Sequence, residues 1–292
     1  MASSRFERGA TVIDYFADLA ASVRQALHED IGAGDLTASL VPATRRAVAT
    51  VVVREPAVLC GTRWFEAVYA ALDSTLRVNW HFQDGARLAV NDTVCEIEGL
   101  AQAVVSGERT ALNFLQTLSG TATVTARYVA QLAGTHTRLL DTRKTLPGLR
   151  RAQKYAVKCG GGYNHRAGLY DGVLVKENHL NAAGGITPAL QGLRGRGVAV
   201  PIEVEVESCA QIEEAISAGA DMLLLDNFSL PNLQQAVALT RGRVPLEASG
   251  GFGFDDLPAI AATGVDYVSV GGLTKHLRAV DFSLRITRAE DV

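Results

Sequence analysis

The sequence predicts an α/β protein in two parts, and three observations carry that prediction. Short β-branched runs dominate residues 48–99. From about residue 137, six apolar, β-rich runs then recur every 20 to 35 residues or so, alternating with helical patterns. Such alternation marks βα units around a parallel sheet. Finally, Gly is abundant (28 of 292 residues) and Pro scarce (8), which suits many strand-to-helix turns and few linkers. Six units fall short of the eight strands of a full TIM barrel, so the second part is expected to be a barrel with fewer strands or an open α/β sheet.

In chain order, DYFADLAASVRQALH sets Tyr15, Leu19, Val23 and Leu27 at helical spacing, predicting an amphipathic helix over Asp14–His28 with Asp14 as N-cap. ATVVVRE, LRVNWHF and DTVCEIEG read as strands, with one helix from Thr62 to Leu72 between them. Residues 106–132 read as helix, with Leu112, Leu115 and Leu118 on one side. Ser119-Gly120 offers a break there, which divides the chain into domains 1–119 and 120–292. The later strands are TRLLDT, DGVLVKE, PIEVEVE, ADMLLLD, VPLEAS and VDYVSVGG, followed by a C-terminal helix expected to pack back on the first domain.

A formal charge of −3 gives no global electrostatic footprint for nucleic acid. No apolar run approaches the roughly 18 residues of a membrane helix. The four cysteines, Cys60, Cys95, Cys159 and Cys209, lack any C-x-x-C spacing and read as free thiols of a cytoplasmic protein. There is no P-loop and no strand-linked G-x-G-x-x-G.

In parallel α/β architectures chemistry collects at the carboxyl ends of strands. Here those ends carry Arg143-Lys144, Lys176, Glu205 and Glu207, Asp226-Asn227, Ser249-Gly250-Gly251 and Gly271-Gly272. Alternation in PIEVEVE places Glu203, Glu205 and Glu207 on one face, pointing into a barrel if Ile202, Val204 and Val206 pack on helices. With Asp226 next door, such oxygens suit Mg²⁺ or sugar hydroxyls. Arg143, Lys144, Arg166 and Lys176 lie near strand ends and suit a ligand with more than one anionic group. Arg150, Lys154 and Lys158, at i, i+4 and i+8, read as a solvated helix face. Gly160-Gly161-Gly162 reads as a hinge for a mobile loop carrying His165 and Arg166. The paired glycines at the last two strand ends suit phosphate.

Taken together, Glu29-Asp30 with Gly34-Asp35-Leu36-Thr37, SGERTALN (106–113), DTRKT (141–145), GGGYNHR (160–166), VKENH (175–179), EVEVE (203–207), LDN (225–227) and EASGG (247–251) resemble the quinolinate phosphoribosyltransferases. The resemblance runs from about residue 25 to the C-terminus and departs from the family pattern at no key position. It implies an α/β sandwich-like first domain and an incomplete α/β barrel of about six to seven strands. It also implies Mg²⁺-dependent, decarboxylating transfer of phosphoribose from phosphoribosyl pyrophosphate to quinolinate in NAD biosynthesis, by a homodimer or larger homo-oligomer. By matching position, Lys144, Lys176, Glu205 and Asp226 are the expected catalytic residues. Arg143, His165, Arg166 and Lys176 are the expected quinolinate cradle, and Arg109 is expected to reach a neighbouring subunit's active site. Glu205 and Asp226 are expected at the ribose and Mg²⁺, directly or through water. Ser249, Gly250, Gly251, Gly271, Gly272 and Leu273 are the expected phosphate turns. Rival readings are a relative acting on another ring carboxylate, or a non-catalytic phosphate sensor, which has no need of inward carboxylates.

Overall fold

The structure, a computed structural model, describes residues 13–290. The elements of the first half are α1 (Leu19–Ile31), β1 (Arg46–Val53), β2 (Ala57–Val58), α2 (Thr62–Leu72), β3 (Arg77–Trp80), β4 (Arg87–Leu88), β5 (Thr93–Leu100) and α3 (Ala101–Gln131). After these come β6 (Arg138–Leu140), α4 (Arg150–Cys159), β7 (Val173–Val175), α5 (Glu177–Ala183), α6 (Ile186–Gly195), β8 (Ile202–Val206) and α7 (Cys209–Ser217). The chain finishes with β9 (Met222–Asp226), α8 (Leu230–Thr240), β10 (Leu246–Ser249), α9 (Leu257–Ala261), β11 (Tyr267–Ser269), α10 (Gly272–Lys275) and β12 (Phe282–Glu290). They form two compact units interleaved in sequence. One comprises Asp14–Ala126, Thr145–Gly161 and residues 273–290, the other Arg127–Lys144 and Gly162–Gly272.

The first unit is built on an antiparallel sheet of order β12-β1-β5-β3. In β1 every second residue, Ala47, Ala49, Val51 and Val53, is buried. That period-two face meets Trp64, Phe65 and Val68 of α2 and Val104, Leu112, Leu115 and Leu118 of α3 in one core. Helix α1 starts at Leu19, later than the sequence suggests, because Asp14 is engaged in a turn: its carboxylate accepts the Phe16 N–H at 3.1 Å. The chain's last element is a strand and not the expected helix. Phe282, Leu284 and Ile286 alternate at strand period, and β12 gains a full ladder along β1, from Phe282 opposite Val53 to Glu290 opposite Arg46.

Two further expectations are corrected in this unit. Helix α3 runs unbroken for 31 residues through Ser119-Gly120. Gly120 serves close approach there, since a Cβ would lie 2.3 Å from the Arg278 carbonyl oxygen. On α4, Lys154 is fully buried and partnered, so this face is not simply a solvated basic stripe. The helix turns inward around Ala152, Gln153 and Ala156, and Gln153 donates to the Thr274 carbonyl at 3.0 Å and accepts the Leu146 N–H at 2.8 Å.

The second unit holds a six-stranded, all-parallel sheet of order β6-β11-β10-β9-β8-β7, flanked by helices. Its strands are almost continuously buried, as sheets covered on both faces require. Strands β6 and β7 do not pair with each other, so the barrel is incomplete. Beyond β6, among the described residues, only an isolated parallel bridge, Leu140 to Tyr163, extends the sheet. Paired residues of a parallel ladder share a face. Glu205 and Glu247 both pair with Leu224, and Glu247 also pairs with Tyr267, which puts these side chains in one row inside the curve of the sheet. Tyr267 also packs with Leu140 and Met222 in a small buried apolar cluster.

Gly120→Ala is expected to destabilise the protein by about 1–3 kcal/mol, the range of overpacking, although Ala gains about 1 kcal/mol in intrinsic helix propensity. Urea unfolding that leaves stability unchanged or raised would remove the close approach as the reason for glycine.

Candidate active site

The cations predicted at the strand ends converge in part. Arg143 after β6, Arg166 before β7 and Lys176 after β7 line one cavity of about 550 Å³, together with Arg196. Apart from His179 its other walls are apolar, among them Val173, Leu174, Pro188 and Leu193. A flat ligand with acidic substituents matches such a lining. Arg166 is positioned by two contacts: its Nη1 donates to the Gly172 carbonyl at 3.1 Å, and its backbone N–H donates to His165 Nδ1 at 2.7 Å. Burial, reinforced by the Arg143 charge, holds the Arg166 guanidinium below its ordinary pKa. An anion between the two arginines would relieve both effects.

The carboxylates stand alongside. Lys176 Nζ meets Glu205 Oε2 at 2.5 Å, joining the cationic wall to the inner row of the sheet. Glu205 is nearly buried, whereas Glu207 lies past the end of β8 and is exposed, its backbone N–H donating to Gln211 at 2.8 Å. Asp226 ends β9 in register with Ser249 of β10, and its Oδ2 accepts the Asn227 amide at 2.7 Å. Neither Glu205 nor Asp226 lines the cavity; they occupy adjoining strand ends beside it.

His165 sits differently from its expected place in the cradle. Its Nε2 faces Glu203 Oε2 at 2.9 Å and Glu247 Oε2 at 3.5 Å, and all three side chains are buried. Because Nδ1 accepts the Arg166 N–H, the proton of the neutral ring belongs on Nε2, pointing at the glutamates. The ring is therefore turned into the sheet and acts on the cavity through the Arg166 backbone. Burial and the Glu203 charge, partly offset by His165, push the Glu247 carboxyl up to about 8. A buried carboxylate raised in this way by a neighbouring charge favours its neutral form.

The GGG segment is anchored where the sequence suggested a hinge. Gly160 is packed so closely that a Cβ would lie 2.5 Å from the Ala122 carbonyl, and Gly161 takes a left-handed φ of 86°. Beyond it, fully buried Asp141 binds the Asn164 amide at 2.7 Å and the His165 N–H at 2.9 Å. Asp171 then accepts the N–H groups of Ala167 and Gly168 at 2.7 and 2.9 Å, closing the turn that carries Arg166.

The glycine turns lie at strand ends as expected. Gly250 has φ 153°, and a Cβ there would lie 2.9 Å from Asn227 Oδ1. Gly271 gives passage to Lys144, whose Cδ would lie 2.8 Å from a Cβ at that position. Lys144 is exposed. Gly251 meets nothing within 4 Å, Gly272 opens the short α10, and Leu273 is fully buried, so only its backbone could serve a phosphate. Arg109 is exposed on α3 in the other unit. Sequence reasoning overlooked Asp141, Asp171 and the part played by Glu247. The signal for Glu247 was present: one carboxylate inside VPLEAS, in a strand otherwise built for burial.

A folded-state pKa raised above the unfolded value means that the stability from protonated Glu247 is fully present below about pH 4.5 and is lost as pH rises through about 8. Glu247→Gln, which keeps the shape without the charge, should flatten the decline of Tm between those limits. Thermal unfolding of both proteins across that range checks this, and parallel profiles would exclude Glu247 as the titrating group.

Two family models cover most of the chain: the N-terminal domain of quinolinate phosphoribosyl transferase over residues 35–119 and its C-terminal domain over residues 121–285. The probable nicotinate-nucleotide pyrophosphorylase (carboxylating) of Bacillus subtilis is 40% identical over 264 residues, 90% of this chain and 91% of that protein. The Mycobacterium leprae nicotinate-nucleotide pyrophosphorylase (carboxylating) is also 40% identical, over 90% of this chain and 95% of its own. The solved nicotinate-nucleotide pyrophosphorylase of Francisella tularensis superposes with a TM-score of 0.90 at 41% identity, covering 98% of this chain and all of that one. With its cation-lined cavity, its inner row of carboxylates and both domain models matched in order, the chain belongs to the quinolinate phosphoribosyltransferase family.

Proposed function

We propose that this protein is a pentosyltransferase that transfers phosphoribose from phosphoribosyl pyrophosphate to quinolinate, releasing nicotinate mononucleotide, pyrophosphate and CO₂, and so serves NAD biosynthesis. The observation that carries the reading is the meeting of Arg143, Arg166 and Lys176 in one cavity beside the strand-end carboxylates Glu205 and Asp226. Quinolinate is a planar dicarboxylate; the arginines supply forked donors for its acidic groups and the apolar wall accepts its ring. A phosphate sensor would have no use for the buried row of carboxylates, which is costly to fold.

In this mechanism the pyridine nitrogen attacks the anomeric carbon, the C–O bond to pyrophosphate breaks, and the departing oxygen takes the bonding pair. Positive charge grows on the ribose ring as the bond lengthens, and Glu205 and Asp226 face it. N-ribosylation leaves a cationic pyridinium. The C–C bond to the adjacent carboxylate then breaks, CO₂ departs, and the electron pair stays on the ring carbon, stabilised by the ring cation and by Lys176 and Lys144. A proton from solvent completes nicotinate mononucleotide. Protein groups serve by binding, orientation and charge, and no covalent nucleophile is needed.

Mg²⁺ belongs to this proposal, with Glu205 and Asp226 as its holders, directly or through water. What supports it is the donor set: hard carboxylate oxygens at adjoining strand ends, with Glu205 Oε2 bonded to Lys176 and Asp226 Oδ2 to Asn227, while Oε1 and Oδ1 remain for a cation or its waters. When bound, the ion neutralises the leaving pyrophosphate. Ser249, Gly250, Gly251, Gly271, Gly272 and Leu273 are proposed as backbone donors to phosphate, and His165 as the holder of Arg166. A homodimer or larger homo-oligomer, with Arg109 reaching the neighbouring active site, and a cytoplasmic location complete the reading. Among the described residues no helix is long and apolar enough to cross a membrane.

Release of CO₂ from quinolinate labelled in its 2-carboxyl group should require phosphoribosyl pyrophosphate and Mg²⁺ together. Release without phosphoribosyl pyrophosphate, or none with all three present, would overturn the reading. Arg143→Ala and Arg166→Ala should each raise the quinolinate KM about 10- to 100-fold, the ~1.5–3 kcal/mol of one charge-assisted hydrogen bond. An unchanged quinolinate KM would remove these arginines from the cradle.

A further inference from the structure

We propose that Cys60, Cys159 and Asp84, in the first unit and apart from the proposed chemistry, form a site for one thiophilic divalent cation of the zinc class. Their ligand atoms, two sulfurs and a carboxylate oxygen, all lie within 4.8 Å of one another. Donors around a tetrahedral Zn²⁺ with Zn–S of about 2.3 Å and Zn–O of about 2.1 Å stand roughly 3.5–3.8 Å apart, so small side-chain movements suffice. The three residues come from distant parts of the sequence: the segment before α2, the turn before β4 and the last residue of α4. No C-x-x-C spacing announces them.

The surroundings hold the donors in place. Cys60 is fully buried, and its backbone is clamped by Ser119, whose hydroxyl accepts the Cys60 N–H at 3.0 Å and donates to the Cys60 carbonyl at 3.1 Å. Asp84 is oriented by the Thr62 N–H on Oδ1 at 3.2 Å and by the Tyr155 hydroxyl on Oδ2 at 3.0 Å. Carboxylates that bind metals are oriented by hydrogen bonds of this kind from behind. Tyr155 is wedged between Phe16 and Trp64, with ring centroids at 5.1 and 5.8 Å. Cys159 is only partly buried and leaves a way in. It also closes α4, where the carbonyl end of the helix favours a cation.

The donor set argues the same way: two sulfurs this close together are the pair a soft cation would deprotonate and bridge. Two thiolates and a carboxylate leave a fourth tetrahedral position for water. Mg²⁺, which prefers oxygen, would not compete here. Bound only by the folded chain, the cation would tie three elements together and raise stability.

The test is titration of the reduced, metal-free full-length protein with Co²⁺, with Mg²⁺ in excess. The expected result is about one Co²⁺ per chain, with a sulfur-to-cobalt charge-transfer band in the near ultraviolet, tetrahedral d–d bands, displacement of both by Zn²⁺, and a rise in Tm. Cys159→Ser should abolish the charge-transfer band or greatly weaken it, and Tyr155→Phe should weaken Co²⁺ binding roughly 10-fold while leaving the band in place. Absence of the band in the wild-type protein would overturn the proposal, as would its persistence in a Cys60→Ser/Cys159→Ser double variant, which would assign the metal elsewhere. Oxidation of the pair to a disulfide, seen as loss of two hydrogens in mass, with no uptake of Co²⁺ by the reduced protein, would also overturn it in favour of a redox pair.

Discussion

Glu203 and Glu247, buried inside the curve of the parallel sheet, set the terms for much of what surrounds them. Carboxylates at such depth are costly to ionise, and the protein meets them with the His165 ring from one side and a Glu247 carboxyl pushed toward its neutral form. Turning His165 inward leaves its Nδ1 to the Arg166 N–H, which aims Arg166 at the cavity. Asp141 and Asp171 secure the backbone on either side of that residue. The cationic wall of the site thus hangs from a buried acidic cluster, with Lys176 and Glu205 as a second link between the two.

Around this cluster the strand ends of one sheet carry groups of different charge. Cations gather where the barrel is open, with Arg143 after β6 and Lys176 after β7 both lining the cavity; carboxylates follow on β8 and β9, and glycine turns on β10 and β11. The proposed thiol and carboxylate site is built in the other unit and would act on folding and stability, independent of that chemistry.

Much of the candidate site was legible because strand ends collect function, and each end could be read directly from a run such as PIEVEVE or ADMLLLD. His165 was legible as a residue but not in its direction, since motif position says nothing about which ring nitrogen faces a carboxylate. Lys154 was misread because its i, i+4, i+8 companions are compatible with a solvated face and also with a buried one. The glycines before Asn164 read as a hinge, yet Gly160 is there to let α4 approach α3.

The sequence by itself determined the α/β class, the six parallel strands, the helix at Thr62–Leu72 and the chemistry available at each strand end. Periodicity and turn residues are local properties of the chain, and local properties survive without coordinates. Tertiary structure alone decided that the last segment is a strand on β1, that Glu247 stands beside Glu203 and His165, and that Cys60, Asp84 and Cys159 meet. Each of these joins residues far apart in sequence, by ladder pairing or by packing in the interior, and no pattern within one segment records such a meeting.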